Sequence, residues 1–109
     1  MMSSQLKRHW SFIHLLITAH LPQRLAILRT ISNDQLGVVC EVILNTLHGH
    51  LYVPPATVKS LERHKTLFRE LASHNLSKIK KRGLILRNHK LITTLLITVQ
   101  PLLETYMQS

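Results

Sequence analysis

The residues best suited to a chemical role form a basic run at positions 77–90, SKIKKRGLILRNHK. It holds six of the fourteen Lys and Arg residues of this 109-residue chain. In the wider segment Lys59–Lys90, ten basic residues are accompanied by two acidic ones, Glu62 and Glu70, so the segment carries +8 of a net charge of +9. Three cations are consecutive, at Lys80–Arg82, and charges this close repel unless an anion balances them. Such an excess favours an anionic partner.

Phosphate contact is the simplest role for these cations, because a Lys or Arg that meets a phosphate releases a counterion whatever the base sequence. Few aromatic residues stand among them, which argues against stacking on single-stranded bases. We therefore expect sequence-independent binding or condensation of nucleic acid, with double-stranded DNA as the expected form. The residues assigned to this contact are Lys59, Arg63, Lys65, Arg69, Lys78, Lys80, Lys81, Arg82, Arg87 and Lys90.

Two other interpretations of the basic run stay open. It can be the solvated face of an ordinary helix or an assembly surface, or it can be the basic flank of a segment that lies on an anionic membrane. No acidic residue lies near Lys80, Lys81 and Arg82 in the local sequence. We therefore expect replacement of all three with Gln to leave stability nearly unchanged, whereas a variant that unfolds would assign them a structural role.

The eight histidines and the single cysteine form no recognisable metal site. The best cluster is Cys40, His48 and His50, but a tetrahedral zinc site needs four ligands, and no CxxC or HxxxH pair occurs. Cys40 lies in the apolar stripe of its predicted helix and is expected to be a small core residue. Catalysis has no better support, because the five acidic residues are scattered and neither a Gly-rich phosphate loop nor a nucleophile elbow is present. We expect a non-enzymatic protein with no metal, no cofactor and no small-molecule substrate.

The cellular compartment is constrained by the cysteine count and by the apolar runs. One cysteine rules out an internal disulfide framework and suits a reducing compartment or a virion interior. The N-terminal region has a basic start and an apolar run, as a signal peptide would, but His14 and His20 interrupt it and no small-x-small cleavage site follows. The longest apolar run, 91–103, is shorter than the ~20 residues that cross a bilayer and contains Gln100 and Pro101. We expect a chain that is neither secreted nor transmembrane, with membrane binding disfavoured.

The elements that position these residues are predicted to be helices, because the three Gly and four Pro fall between apolar stretches of helical period. Ser32 and Gln35 have the spacing of a capping box, and Ser77 can cap the helix that carries the basic run. The β-branched content of LITTLLITV keeps a strand as an alternative there. The sequence predicts an all-α fold over residues 1–109, a single bundle of four to five helices with a basic C-terminal half. The expected helices are 5–20, 22–31, 33–48, 55–73 and 78–99.

Helical periodicity also predicts a core and a candidate interface. The core is expected to contain Leu36, Val39, Ile43, Leu47, Leu61, Phe68 and Leu71. A second apolar face contains Leu84, Ile85, Leu91, Ile92 and Leu95. Arg87 and Lys90 lie opposite this second face. If the chain's own core does not absorb it, the face is a candidate interface for a homo-oligomer or for another protein.

Three stretches together resemble a known family: ILRTISNDQLGVVCEVILNTLHGHLYV, LERHKTLFRELA, and LSKIKKRGLIL with the apolar tail that follows it. They are similar to the small basic proteins of adintoviruses and Maverick/Polinton-type elements over roughly residues 22–103. The points of similarity are Cys40, Glu41 and Asn45 in one helix, then a Lys/Arg-rich helix, then Ser77 before the Lys80–Arg82 run.

The chain departs from the family pattern at His89 and Lys90, where a Gly-Gly pair is expected. This departure allows a continuous helix and puts a hinge-dependent role in doubt. The resemblance implies a virus- or transposon-encoded virion component that is packed with the genome, in the virion or the host nucleus. The implied partners are nucleic acid and a homo-oligomer or other virion proteins. The alternative is an assembly or scaffold protein that docks on virion proteins or on a membrane surface through its apolar C-terminal segment.

Overall fold

Helices account for all the regular structure in the described part of the chain. A computed structural model describes residues 4–47 and 53–108, with side chains described up to Thr105. No strand occurs within these ranges, which confirms the all-α prediction and excludes a strand at 91–99. The helices are α1 Ser4–Arg8, α2 Trp10–Thr18, α3 Leu21–Arg29, α4 Asn33–Leu47, α5 Pro55–Arg63, α6 Lys65–Ala72, α7 Lys78–Arg87 and α8 His89–Gln108.

Polar caps determine where α4 and α7 begin. The Ser32 backbone N–H donates to Gln35 Oε1 at 3.0 Å, and the Gln35 N–H donates to Ser32 Oγ at 3.1 Å, so the predicted capping box is confirmed. At the start of α7, Ser77 Oγ accepts a hydrogen bond from the Lys80 N–H at 3.3 Å. Both caps satisfy N–H groups that have no partner within the helix.

The described residues form eight helices, whereas four to five were predicted. Three predicted helices are each divided by one turn residue: His9 at φ −103°, ψ 18°, His64 at φ −110°, ψ 27°, and Asn88 at φ −119°, ψ 28°. The helical hydrogen bonds continue through each of them, so these are kinks and not chain reversals. At Asn88 the cause is visible, because its side-chain Nδ2 donates to the Leu84 carbonyl at 2.8 Å, as does its own backbone N–H at 3.1 Å.

The last helix continues nine residues past its predicted end at residue 99, through Pro101 to Gln108. Proline lacks the N–H that a helix interior uses and usually ends or kinks the helix. Here Val99 and Leu103 are both fully buried on either side of it. The Gln100 Nε2 also donates to Glu104 Oε1 at 3.1 Å across the proline. Burial of the apolar side outweighs the local preference to stop.

The core forms where α4 packs on α6, while α3 packs on α7 and α2 on α8. Six of the seven predicted core residues are buried: Leu36, Val39, Ile43, Leu61, Phe68 and Leu71. Leu47 differs, since it lies half-buried at the edge of the core. Cys40 is buried and free, as a small core residue is expected to be.

Candidate nucleic-acid interface

The basic run forms α7, which carries five cations in ten residues and has no acidic residue in its first turn. No Asp or Glu occurs between Glu70 and Glu104 in the sequence. The N-terminus of a helix is the positive end of its dipole, where anions are favoured and cations are not. Lys78 and Lys80 are therefore placed unfavourably for the folded state and favourably for a bound anion.

The three consecutive cations do not share one surface. Successive residues of a helix point about 100° apart, so adjacent side chains diverge. Lys80 is exposed, whereas Lys81 and Arg82 are half-buried. Arg82 Nη2 donates a hydrogen bond to Asn33 Oδ1 at the start of α4, and its Nε is buried without a hydrogen-bond partner. The sequence assigned Arg82 to phosphate contact, whereas in the structure Asn33, far away in sequence, holds its guanidinium.

Lys81 lies on the side of α7 that is near the core. Burial raises the pKa of the Cys40 thiol, and the positive charge of Lys81 acts against that shift. Cys40 lies on α4, which contacts α7, and Lys81 is half-buried on α7. The Lys81 side chain therefore does not project fully into solvent. The sequence signal for this arrangement is weak, since it depends on the packing of α7 against α4.

The outward face of α7 contains Ile79, Lys80, Gly83 and Arg87. A Cβ at Gly83 would lie 3.8 Å from Arg87 Nη1, so the Arg87 side chain folds back over the glycine toward the start of the helix. Lys80 and Arg87 are both exposed. Ile79, which the sequence analysis did not single out, is 80% exposed, the highest value among the large apolar residues described.

The remaining assigned cations are exposed on neighbouring helices. Lys59, Arg63, Lys65 and Arg69 lie on α5 and α6, where Glu62 and Glu70 interrupt the positive charge, and Lys90 lies at the start of α8. Lys78 lines a surface cleft with Asp34 and Glu41, so two carboxylates offset its charge in part. The sequence-assigned cations of α5, α6 and α7 thus divide into an α5–α6 group interrupted by its own glutamates and an α7 group with no acid on its own helix, where α4 carboxylates lie near Lys78.

The apolar face that was a candidate interface is covered by the chain's own core, so this prediction is corrected. Ile85, Ile92 and Leu95 are buried in the chain's own core, and Leu84 and Leu91 are half-buried against it. A face that its own chain covers is not available to a second molecule. The spacing of these apolar residues along the sequence could not show that the face is covered, because burial depends on which other helices pack against it.

Other kinds of site have no support in the described residues. No group of three or more His, Cys, Asp or Glu side chains that could hold a metal ion occurs there, and His48 and His50 lie outside the described ranges. Among the helices described, none is long and apolar enough to span a membrane. Comparisons with protein-family models, with curated proteins and with solved structures found no match for this chain.

Proposed function

We propose that this chain is a non-enzymatic protein that binds double-stranded nucleic acid through phosphate contacts made by the exposed cations of α7. The observation that carries the proposal is the concentration of five cations in the ten residues of a capped helix, three of them among its first four residues, with no acid from residue 71 to 103. This charge arrangement costs stability in the free protein. A polyanion that occupies the surface relieves that cost and releases its own counterions.

The α7 group is favoured over the α5–α6 group by net charge. Four cations and two glutamates occur from Lys59 to Glu70, a net of +2, whereas α7 carries a net of +5, which Asp34 and Glu41 beside Lys78 reduce to +3. Phosphate contacts respond to local potential, and neighbouring carboxylates reduce it. We assign direct contact to Lys78, Lys80 and Arg87, which are exposed. Arg82 and Lys81 supply charge from half-buried positions, and the bond from Arg82 to Asn33 holds α7 beside α4.

The binding is proposed to be independent of base sequence. Lysine acts on phosphate as a point charge, and no polar side chain of the outward face other than these cations is available to read base edges. The resemblance to the basic proteins of adintoviruses and Maverick/Polinton-type elements extends the proposal to a virion component that accompanies the genome, in the virion or the host nucleus. That extension depends on the resemblance alone, and it predicts condensation of long DNA by several copies of the protein.

A salt series tests the proposed contact. Fluorescence anisotropy with a labelled duplex at several salt concentrations measures the slope of log affinity against log salt. Each phosphate contact contributes about −0.9 to that slope. Replacing Lys78, Lys80 and Arg87 with Gln is expected to flatten it by about 2–3 units and to weaken binding to every duplex sequence alike.

A second variant with the same net charge tests whether the effect depends on the location of the cations or only on the total charge. Replacing Lys59, Arg63 and Lys65 with Gln removes an equal number of positive charges, three, from α5 and α6. We expect this control to change the slope less than the α7 variant does. Equal effects of the two variants would contradict the assignment to α7, and a wild-type protein that binds no duplex at low salt would overturn the proposed function.

A further inference from the structure

An isoleucine stands alone on the most basic helix. Ile79 is 80% exposed, whereas the next most exposed large apolar residue described, Leu15, is 52% exposed. The other apolar residues of α7 turn inward: Ile85 is buried, and Leu84 and Leu86 are half-buried against the core. Ile79 alone among the apolar residues of α7 does not pack against the core.

Cations surround this isoleucine. Ile79 is the second residue of α7, and Lys78 and Lys80 fall on either side of it because successive residues point about 100° apart. One turn further along the same face, Gly83 has no side chain, and the guanidinium of Arg87 lies over it. An exposed apolar side chain can insert between stacked bases. The three cations beside it can contact the phosphates of the two backbones.

We propose that Ile79 inserts as a wedge between base pairs of the bound duplex while Lys78, Lys80 and Arg87 contact the phosphates on either side. The inference deepens the proposed function and depends on it. Isoleucine is among the apolar side chains that partly unstack a base step and bend the duplex. The Arg87 guanidinium over Gly83 then faces a phosphate one turn below the wedge. The partner is then double-stranded DNA in a bent form. The phosphate contacts remain independent of base sequence, and the bend forms most readily at flexible pyrimidine–purine steps.

Two other partners fit the surface less well. The cores of protein–protein interfaces are depleted in lysine, whereas Ile79 has a lysine on each side. A membrane-binding helix needs an apolar face along its length, and α7 turns that face toward the protein's own core. The other exposed large apolar residues in the described part of the chain lie on other helices: Leu15 on α2, Leu21 on α3, Val58 on α5 and Ile97 on α8.

The test combines two fluorescence measurements on a short duplex that contains a central TA step. Emission of 2-aminopurine at that step rises when bases unstack, and energy transfer between labelled ends rises when the duplex bends. With the full-length wild-type protein we expect both signals to rise on binding. With Ile79→Ala we expect both increases to be lost while the slope against salt stays unchanged, because the cations remain.

A matched control is Ile97→Ala, which removes the same side chain from a 49% exposed position on α8. This variant is expected to behave as wild type does. A wild-type protein that binds but leaves the duplex straight and stacked would overturn the wedge and leave phosphate binding in place. An Ile79→Ala variant that still bends the duplex would also overturn it, and loss of binding to phosphatidylserine vesicles in that variant, with DNA bending intact, would assign Ile79 to a membrane. A wild-type protein that binds no duplex overturns both proposals.

Discussion

Arg82 and Asn33 are joined by a hydrogen bond from Arg82 Nη2 to Asn33 Oδ1, although 49 positions separate them in sequence. The bond connects the middle of the basic run to the first residue of α4 and makes one of the run's cations a structural residue. Because of this bond, we now expect neutralisation of the Lys80–Arg82 run to lower stability, whereas the sequence predicted almost no change.

Replacing Arg82 is expected to lower stability where replacing its neighbour does not. Arg82→Gln removes the bond to Asn33 and should reduce the free energy of unfolding by about 1 kcal/mol, as loss of one hydrogen bond does. Lys80→Gln changes an exposed residue and should stay within about 0.5 kcal/mol of wild type. Urea denaturation measures both values. A double-mutant cycle with Asn33→Ala isolates the pair, and additive effects in that cycle would contradict the bond.

Core truncations are expected to differ in cost between Leu71 and Leu47. Leu71 is fully buried on α6, whereas Leu47 lies at the edge of the core. Leu71→Ala should therefore cost about 2–5 kcal/mol of unfolding free energy, and Leu47→Ala should cost less than that range. The urea concentrations at the midpoint of unfolding compare the two variants, provided that the dependence of the unfolding free energy on urea is the same for both. A Leu47 variant as unstable as the Leu71 variant would show that the core extends further along α4.

Loss of the capping box is expected to destabilise α4. Ser32→Ala removes the oxygen that accepts the Gln35 N–H, and the expected cost is about 1 kcal/mol. Ser11→Ala is the matched control. Ser11 is the exposed second residue of α2, within the hydrogen-bonded run that continues from α1, and serine there favours the helix less than alanine. Thermal unfolding followed by circular dichroism should show a lower midpoint for the first variant alone. Equal midpoints for the two variants would contradict a stabilising role of the Ser32 cap in α4.

The Cys40 thiol is expected to react slowly with thiol reagents in the folded protein. Burial raises its pKa above the ordinary value of 9.0, so folding favours the neutral thiol. The stability that this provides is present below the unfolded pKa and is lost as pH rises through the folded pKa. At pH 8 the native protein should react more slowly than the urea-unfolded chain, because only the thiolate attacks.

The charge of Lys81 supplies the control for this titration. Lys81→Met removes the cation that opposes the shift, so the thiol pKa should rise further and the reaction at mildly alkaline pH should slow again. Lys80→Met changes the adjacent exposed cation and should leave the rate unchanged. Equal rates in the two variants would contradict a position of Lys81 beside the thiol.

Interactions between residues a few positions apart could be predicted from the sequence. The Ser32–Gln35 box and the Ser77 cap each involve partners three positions apart, and the apolar period of α4 depends only on the pitch of a helix. A linear pattern displays such relationships directly. The all-α class followed from them, since every long apolar stretch repeated at helical spacing.

Tertiary packing alone decided which cations are free and which apolar face is covered. Lys80 and Arg82 are equivalent in a list of charges, yet α4 lies beside one of them and solvent beside the other. Ile92 and Ile79 are equally apolar, yet the first is buried in the core and the second is exposed. Exposure is a property of neighbours that arrive from distant positions in the chain, so no local pattern encodes it. The candidate interface could be located to α7 from the sequence, and only the fold separated its contact residues from its structural ones.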